Sequence, residues 1–331
     1  MRPAITLGLM SLLAVGVLSG APFLGMYSIP MEAIFAPLEG NVEAEIFWNL
    51  RVPRVMAAFL AGAGLAISGM AFQALFRNPL ATPFTLGVAS GAALGAALYV
   101  RSGLSFALLS ISGLSLSAFV GALGSILLVY GLTQIRQGFS VASMLLAGVA
   151  ISFFFSSLIL FIQYMSDFAQ SFHILHWLMG NLGVTGMETV LEILPFVVAG
   201  ALVISLLGQE LNLLATGELL AVSRGLNLRR IRSLLFFVTS LTVGGIVATC
   251  GPIGFVGMMV PHICRLLVGA DHRFLTPATL LFGGSFLTLC DTLARNLIAP
   301  AEIPVGVITA LLGGPFFIWL LLRRTSEKRL I

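Results

Sequence analysis

Apolar runs long enough to cross a bilayer recur along the whole chain, at about 4–26, 52–73, 84–100, 108–133, 141–164, 190–208, 234–250, 256–269, 275–294 and 304–322. A segment immersed in hydrocarbon must satisfy its own backbone, which leaves only helices or a closed barrel. Period-two alternation is absent, and a spanning helix takes about 20 apolar residues, so the runs read as helices. The chain is thereby an all-α, polytopic membrane protein with about ten transmembrane helices, in a single transmembrane domain over residues 1–331. Composition agrees. Only 9% of residues are charged, with 58% hydrophobic and a mean hydropathy of +1.06, whereas a soluble domain carries about 25% charged residues. The first run mimics a signal peptide, but its roughly twenty apolar residues exceed a signal core and suffice to span, so it reads as a retained helix. Around "GPIGFVGMMVPH" (251–262) Gly and Pro interrupt the seventh and eighth runs and blur their boundary.

The side of each loop follows from its Lys and Arg content. With the N- and C-termini cytoplasmic, thirteen of the seventeen basic residues fall inside: Arg2, Arg77, Arg136, Arg224, Arg229, Arg230, Arg232, Arg265, Arg273, Arg323, Arg324, Lys328 and Arg329. Arg51, Arg54, Arg101 and Arg295 fall outside, as do most acidic residues, including Glu39 and Glu302. Runs 2–5 begin outside and runs 7–10 inside, so a structural repeat of these halves has inverted topology. The scattered arginines exclude a nucleic-acid face. Close small-residue spacing such as "GAALG" (91–95) suits tight helix packing.

Catalytic signatures are missing. There is no GxSxG, HExxH or GxxxxGK[ST], and Lys328 is the one lysine, so the chain supplies no P-loop. Cys250, Cys264 and Cys290 sit in apolar surroundings and read as buried helix residues, not as disulfides or metal ligands. The histidines form no metal-ligand cluster; His173 and His176 share a helical face only if their loop is helical. Within the spans, Asp291 lies four residues before Arg295, where the two can pair. Ion-coupled carriers place acids at mid-membrane, so one neutralised Asp gives such coupling little support.

Specific strings then resemble a known family. "RVPRVMAAFLAGAGLAISGMAFQALFRNPLATPFTLGVASGAALG" (51–95) is similar to the signature of the FecCD-type permeases, the membrane subunits of type II ABC importers for iron–siderophores, haem and cobalamin. "LLAGVA" (145–150), "HWLMGNL" (176–182), "GPIGFVGMMVPHICRLLVGADHR" (251–273) and "AEIPVGVITALLGGPFFIWLL" (301–321) resemble the later blocks in order and spacing, so the match spans essentially the whole chain. The resemblance implies a ten-helix subunit that pairs with a second copy of itself in the bacterial inner membrane. Two separate ATPase subunits supply the energy from ATP and Mg, and an extracytoplasmic binding protein delivers the ligand. This chain itself would be no enzyme and would bind no cofactor or metal.

By the same resemblance, Arg51, Arg54 and Arg295 receive acidic residues of the binding protein; the planar Arg fork suits carboxylates. Snorkelling and, for Arg295, neutralisation of Asp291 are the alternatives. The inner gate falls on Asn78 and Leu80 in "RNPLATP" (77–83), joined by Val141 and Ala142, a pair more apolar than its counterpart in the cobalamin importer. Asn78 can also bond freed backbone groups in a plain tight turn. The segment 209–233 resembles the element that couples to the ATPase, through Glu218, Leu219, Ala221, Arg224, Gly225 and Leu226; the positive-inside rule alone accounts for Arg229, Arg230 and Arg232. Iron–siderophore complexes lead as cargo, with haem or cobalamin as alternatives; Met165, Met179 and Met187 with His173 and His176 are haem-compatible in type. A secondary carrier without an ATPase partner is the alternative of another class.

Overall fold

In the computed structural model, residues 3–35, 37–38, 40–108, 111–135, 141–183 and 186–328 are described; Arg2, Glu39, Arg136 and Arg329 lie outside them. The helices are α1 Pro3–Gly20, α2 Val42–Glu45, α3 Val52–Phe76, α4 Val88–Ser102, α5 Gly113–Ile135, α6 Val141–Tyr164, α7 Phe168–Leu178, α8 Glu188–Leu206, α9 Gly208–Thr216, α10 Glu218–Ser223, α11 Leu228–Cys250, α12 Val256–Val268, α13 His272–Asn296 and α14 Val305–Lys328. The ten apolar runs fall on α1, α3–α6, α8 and α11–α14. Among the described residues, seven helical segments are long and apolar enough to cross a membrane: Pro3–Phe23, Val42–Phe76, Gly113–Gln134, Ala142–Tyr164, Glu188–Leu206, Leu228–Cys250 and His272–Asn296. Helices α12 and α14 contribute shorter apolar stretches, and α4 is 15 residues long.

Helix α3 is the axis of the molecule. From Ala61 to Phe76 every residue is buried, and the helix packs on α8, α11, α12 and α13. Helices α4, α5 and α6 form a second group, joined to the first by α11. In lipid the drive for this packing is close contact and not water exclusion, and small residues provide it. A Cβ on Gly91 or Gly95 of α4 would overlap backbone carbonyl oxygens of Gly121 or Ser117 on α5, so "GAALG" is a helix–helix contact. The outer helices leave Leu, Val and Phe uncovered instead: Leu12 and Val15 on α1, Phe153 and Leu160 on α6, Leu191 and Leu202 on α8. Such a distribution, apolar outside and small or hydroxylic within, suits a lipid surround.

The observed elements depart from the sequence reading in three places. A two-residue-per-strand hairpin, β1 Ala107–Leu108 with β2 Ile111–Ser112, precedes α5 and delays its start to Gly113. Helix α11 begins at Leu228, six residues before the apolar run, because the Asn227 side chain caps the Arg230 N–H. The blurred stretch resolves into a break at 251–255, where Gly251 (φ 68°) ends α11 and Phe255 (φ 67°) precedes α12. All three cysteines are buried and unbridged.

Candidate functional site

Three places collect the residues singled out in the sequence, beginning where the chain enters α3. There a π turn, Ile46–Arg51, links α2 to α3; such turns carry one extra residue per turn. It seats Arg51, 8% exposed, beneath the loop after α1. Its Nη1 donates to the carbonyls of Pro22 (3.1 Å) and Phe23 (3.3 Å), and its Nη2 to that of Tyr27. These acceptors lie where α1 has ended and its carbonyls lack helical partners. One turn on, Arg54 spreads its fork over two acids. Nε and Nη2 grip the Asp291 carboxylate at 3.0–3.1 Å, and Nη1 donates to Glu302 at 2.8 Å. Arg295 closes the cluster, with Nε 3.1 Å from Asp291 Oδ2 and Nη2 donating to Thr292 Oγ1 at 3.2 Å.

The three arginines and Glu302 line one cavity of about 390 Å³ together with Tyr27 and Gly183. Three guanidiniums face the carboxylates of Asp291 and Glu302, which leaves one positive charge in excess. The Asp291–Arg295 pair was legible in the sequence. Arg54 and Glu302 joining it was not, because 237 and 248 residues separate Arg54 from its partners. Arg51 and Arg295 are buried, the Arg54 side chain is 11% exposed, and all three are engaged within the chain. Of the two acids, Asp291 is enclosed and Glu302 is half-exposed.

The second place lies at the far end of α3. Arg77 ends the helix in the left-handed region (φ 48°), and the Asn78 side chain accepts the Leu80 N–H at 3.0 Å, which tightens the turn before Pro83. Leu80 and Ala142 are exposed; the side chain of Val141 lies outside the described residues. Beyond this turn opens a cavity of about 470 Å³. Val149, Ser152, Phe153 and Ser156 give it one face of α6 at helical spacing. Thr82 and Phe84, Val243 of α11, and Phe255 and Met258 from the break before α12 complete it. The wall is apolar apart from hydroxyls, and among the described residues no charged side chain lines it. It can shield a bulky solute without holding a counter-ion to it.

The third place is the segment 209–233, which folds as α9, α10 and the start of α11. Gly217 (φ 133°) separates α9 from α10. Helix α10 then ends in a Schellman turn: Leu226 N–H bonds Ala221 O, Gly225 N–H bonds Val222 O, and Gly225 takes φ 84°. Ala221 is fully buried, and Glu218 pairs with Arg232 of α11. The same helix turns Leu219 (89% exposed), Leu220 and Val222 outward, and Arg224 is exposed beside them. This six-residue helix is fixed on one side and stands out as an apolar knob on the other. His173 and His176 lie exposed on α7, and Met165, Met179 and Met187 are likewise exposed.

Comparison with known proteins agrees over nearly the full length. The model of the FecCD transport family matches residues 11–323. The hemin transport system permease protein HmuU of Yersinia pestis is 37% identical over 328 residues, 99% of this chain and 98% of that protein. The cobalamin import system permease protein BtuC of Halobacterium salinarum is 39% identical, covering 90% and 79%. The molybdate import system permease protein MolB of Haemophilus influenzae is 35% identical, covering 95% and 94%. A solved structure described as an inward-facing metal-chelate type ABC transporter aligns with a TM-score of 0.86 at 34% identity, over 97% of this chain and all of that one.

Proposed function

The chain belongs to the FecCD transport family, and from that premise we propose that it forms the pathway of an importer for an iron chelate, an iron–siderophore complex or haem. Members are membrane permeases of ABC transporters, with the ATPase a separate subunit; the family thus implies ATPase subunits and a substrate-binding protein as partners. The observation that carries the cargo reading is the 470 Å³ wall of α6, α11 and the 251–258 break, with Ser152, Ser156 and Thr82 as its polar groups. It suits a large, shielded chelate better than a small oxyanion such as molybdate, which would want cationic side chains. The haem reading draws further support from HmuU, which this chain matches almost end to end.

In this reading two copies pair through uncovered apolar faces such as those of α6 and α14, where Phe153, Leu160, Leu311 and Ile318 stand exposed. The assembly sits in the bacterial inner membrane with both termini cytoplasmic, and ATP with Mg is consumed by the partner. Asn78, Leu80, Val141 and Ala142 gate the cytoplasmic end. The arginine cavity receives a carboxylate of the binding protein. Because Arg54 Nη1 is held by half-exposed Glu302, an incoming acid exchanges with Glu302 while enclosed Asp291 stays in place. Exposed pairs contribute only about 0.2–1 kcal/mol, so the exchange sets register and encounter more than affinity.

The test is ATPase activity of the complex reconstituted with its binding protein, compared with iron–siderophores, haem, cobalamin and molybdate. Stimulation by an iron chelate alone is the expected result; stimulation by cobalamin or molybdate instead overturns the cargo reading. Transport that needs no ATPase subunit would instead establish a secondary carrier. A second prediction concerns α10. Leu219→Asp places a charge where the knob enters its partner groove and should cut co-purification of the ATPase at least about tenfold, the equivalent of roughly 1.4 kcal/mol. Gly225→Leu, strained at φ 84°, should leave association measurable but uncouple hydrolysis from transport. Wild-type coupling in both variants would remove α10 from the interface.

A further inference from the structure

A trough of about 520 Å³ runs between α4 and α5, apart from the three places described above. Each helix gives it one continuous face. Gly91, Gly95, Leu98 and Ser102 recur on α4 at i, i+4, i+7 and i+11, and Ser117, Gly121, Gly124 and Leu128 repeat that spacing on α5. The two backbones meet at Gly91, Gly95 and Gly121, so the larger side chains stand apart as walls. Leu98, Val120 and Leu128 are exposed along the rim, and a Cβ added to Gly124 would meet nothing.

The trough has an apolar end and a polar end. The first closes on Leu128 and on Phe155 of α6. Ser125 there is already engaged, its hydroxyl donating to the Gly87 carbonyl at 2.7 Å. The second reaches Tyr99 and Ser102 in the last turns of α4, beside Leu104 and Phe106. Tyr99 Oη accepts the Phe106 N–H at 3.3 Å, and among the described residues its own O–H has no acceptor. Arg101, in the same turn of α4, is exposed and has no carboxylate partner among the described residues. A phenol with a proton to give and an unpaired guanidinium suit a phosphate, and Tyr at a span's end belongs to the headgroup level.

The dimensions decide what lies between those ends. From Leu116 to Leu128 the lining runs about 18 Å at 1.5 Å per residue. The volume of 520 Å³ spread over that length is a mean section of about 29 Å². A partner helix, about 10–12 Å across, has a section of about 80–110 Å² and cannot enter. A single hydrocarbon chain can.

We propose that the trough holds one acyl chain of a phospholipid, with the phosphate at Tyr99 and Arg101 and the chain running toward Leu128 and Phe155. Ser152, Phe153 and Ser156 of α6 line the 470 Å³ chamber while Phe155 of the same helix ends the trough, so the bound chain fills the space behind the chamber wall. The site does not depend on the identity of the cargo.

The experiment is native mass spectrometry of the full chain, released from nanodiscs holding equal parts of phosphatidylglycerol, phosphatidylcholine and the phosphate-free digalactosyldiacylglycerol. Wild type should retain each phospholipid at least about fivefold over the galactolipid, and Arg101→Gln should bring that preference to about twofold or less. Gly124→Phe, which fills the trough, should lose the retained lipid. Gly131→Phe, on the same helix with equally open space but outside the trough, should keep it. A second measurement needs no variant: a phospholipid with a diazirine at mid-chain should label residues 91–102 and 113–128 of the wild-type chain in preference to the exposed Leu191 and Leu202 of α8. Equal retention of the galactolipid, wild-type retention by Gly124→Phe, loss in Gly131→Phe, or labelling spread evenly onto α8 would each overturn the proposal. So would a Gly124→Phe chain that keeps its lipid but no longer pairs with a second copy, which would make the trough a contact between chains.

Discussion

Replacing Asp291 with Asn should lower the stability of the permease by about 3–5 kcal/mol, the range for removing one partner of a buried ion pair. Its carboxylate is almost wholly enclosed and holds both Arg54, over 3.0–3.1 Å, and Arg295, at 3.1 Å. Without it two guanidiniums remain near each other in a low-dielectric site, where unpaired charge is most costly. Thermal unfolding of detergent-solubilised protein, followed by fluorescence-detected size exclusion, reads the loss directly. Two controls separate charge balance from simple disruption. Glu302→Gln removes a half-exposed acid from the same cluster and should cost only about 0.2–1 kcal/mol. Adding Arg295→Met to Asp291→Asn removes one uncompensated charge and should recover part of the loss. A melting curve for Asp291→Asn that overlays wild type would show the cluster to be energetically idle.

Gly69→Ala should also be damaging, although it adds only one methyl group. A Cβ on Gly69 would overlap the carbonyl oxygen of Gly257, and its three nearest atoms are all backbone of that residue. No flexible side chain can yield, so α12 itself must shift. Overpacking of a tight core costs about 1–3 kcal/mol, and here it also strains a polar clasp. Gln73 Nε2 donates to the carbonyls of Gly257 and Met258 at 3.4 and 3.2 Å, and Arg265 donates to Gln73 Oε1 at 3.2 Å. Since Met258 and Phe255 line the 470 Å³ cavity, transport should fall further than stability alone explains. Gly124→Ala, at a helical position with open space around the added carbon, is the matched control and should behave as wild type. Normal transport by Gly69→Ala would mean that α3 and α12 separate readily.

What the sequence disclosed about this fold follows from what is local in it. Apolar run length placed the membrane-length helices, seven among the described residues, because a span satisfies its own backbone, and Gly217 and Gly225 marked the pieces of 209–233 because positive φ is a local demand. The i,i+4 pair of Asp291 and Arg295 was legible for the same reason. The partners of the outer-side arginines were not legible. A count of loop charges assigns a side of the membrane but says nothing of which carbonyls or acids lie across a helix contact, and Arg51 spends its donors on the loop after α1. Likewise the π turn before α3 and the left-handed Phe255 arise from tertiary packing. Nothing in "EIFWNLR" or "GPIGF" requires either conformation.

The ion pair between Glu218 and Arg232 has a mechanical side. Arg232 sits in the first turns of α11, whose 23 residues make a rod about 34 Å long at 1.5 Å per residue. The opposite tip of that rod runs directly into Gly251 and the break that supplies Ile253 and Phe255 to the cavity wall. Helix α10 and the wall of the chamber are therefore mounted on the two ends of a single stiff strut, and a tilt imposed at the knob has a continuous backbone along which to reach the chamber.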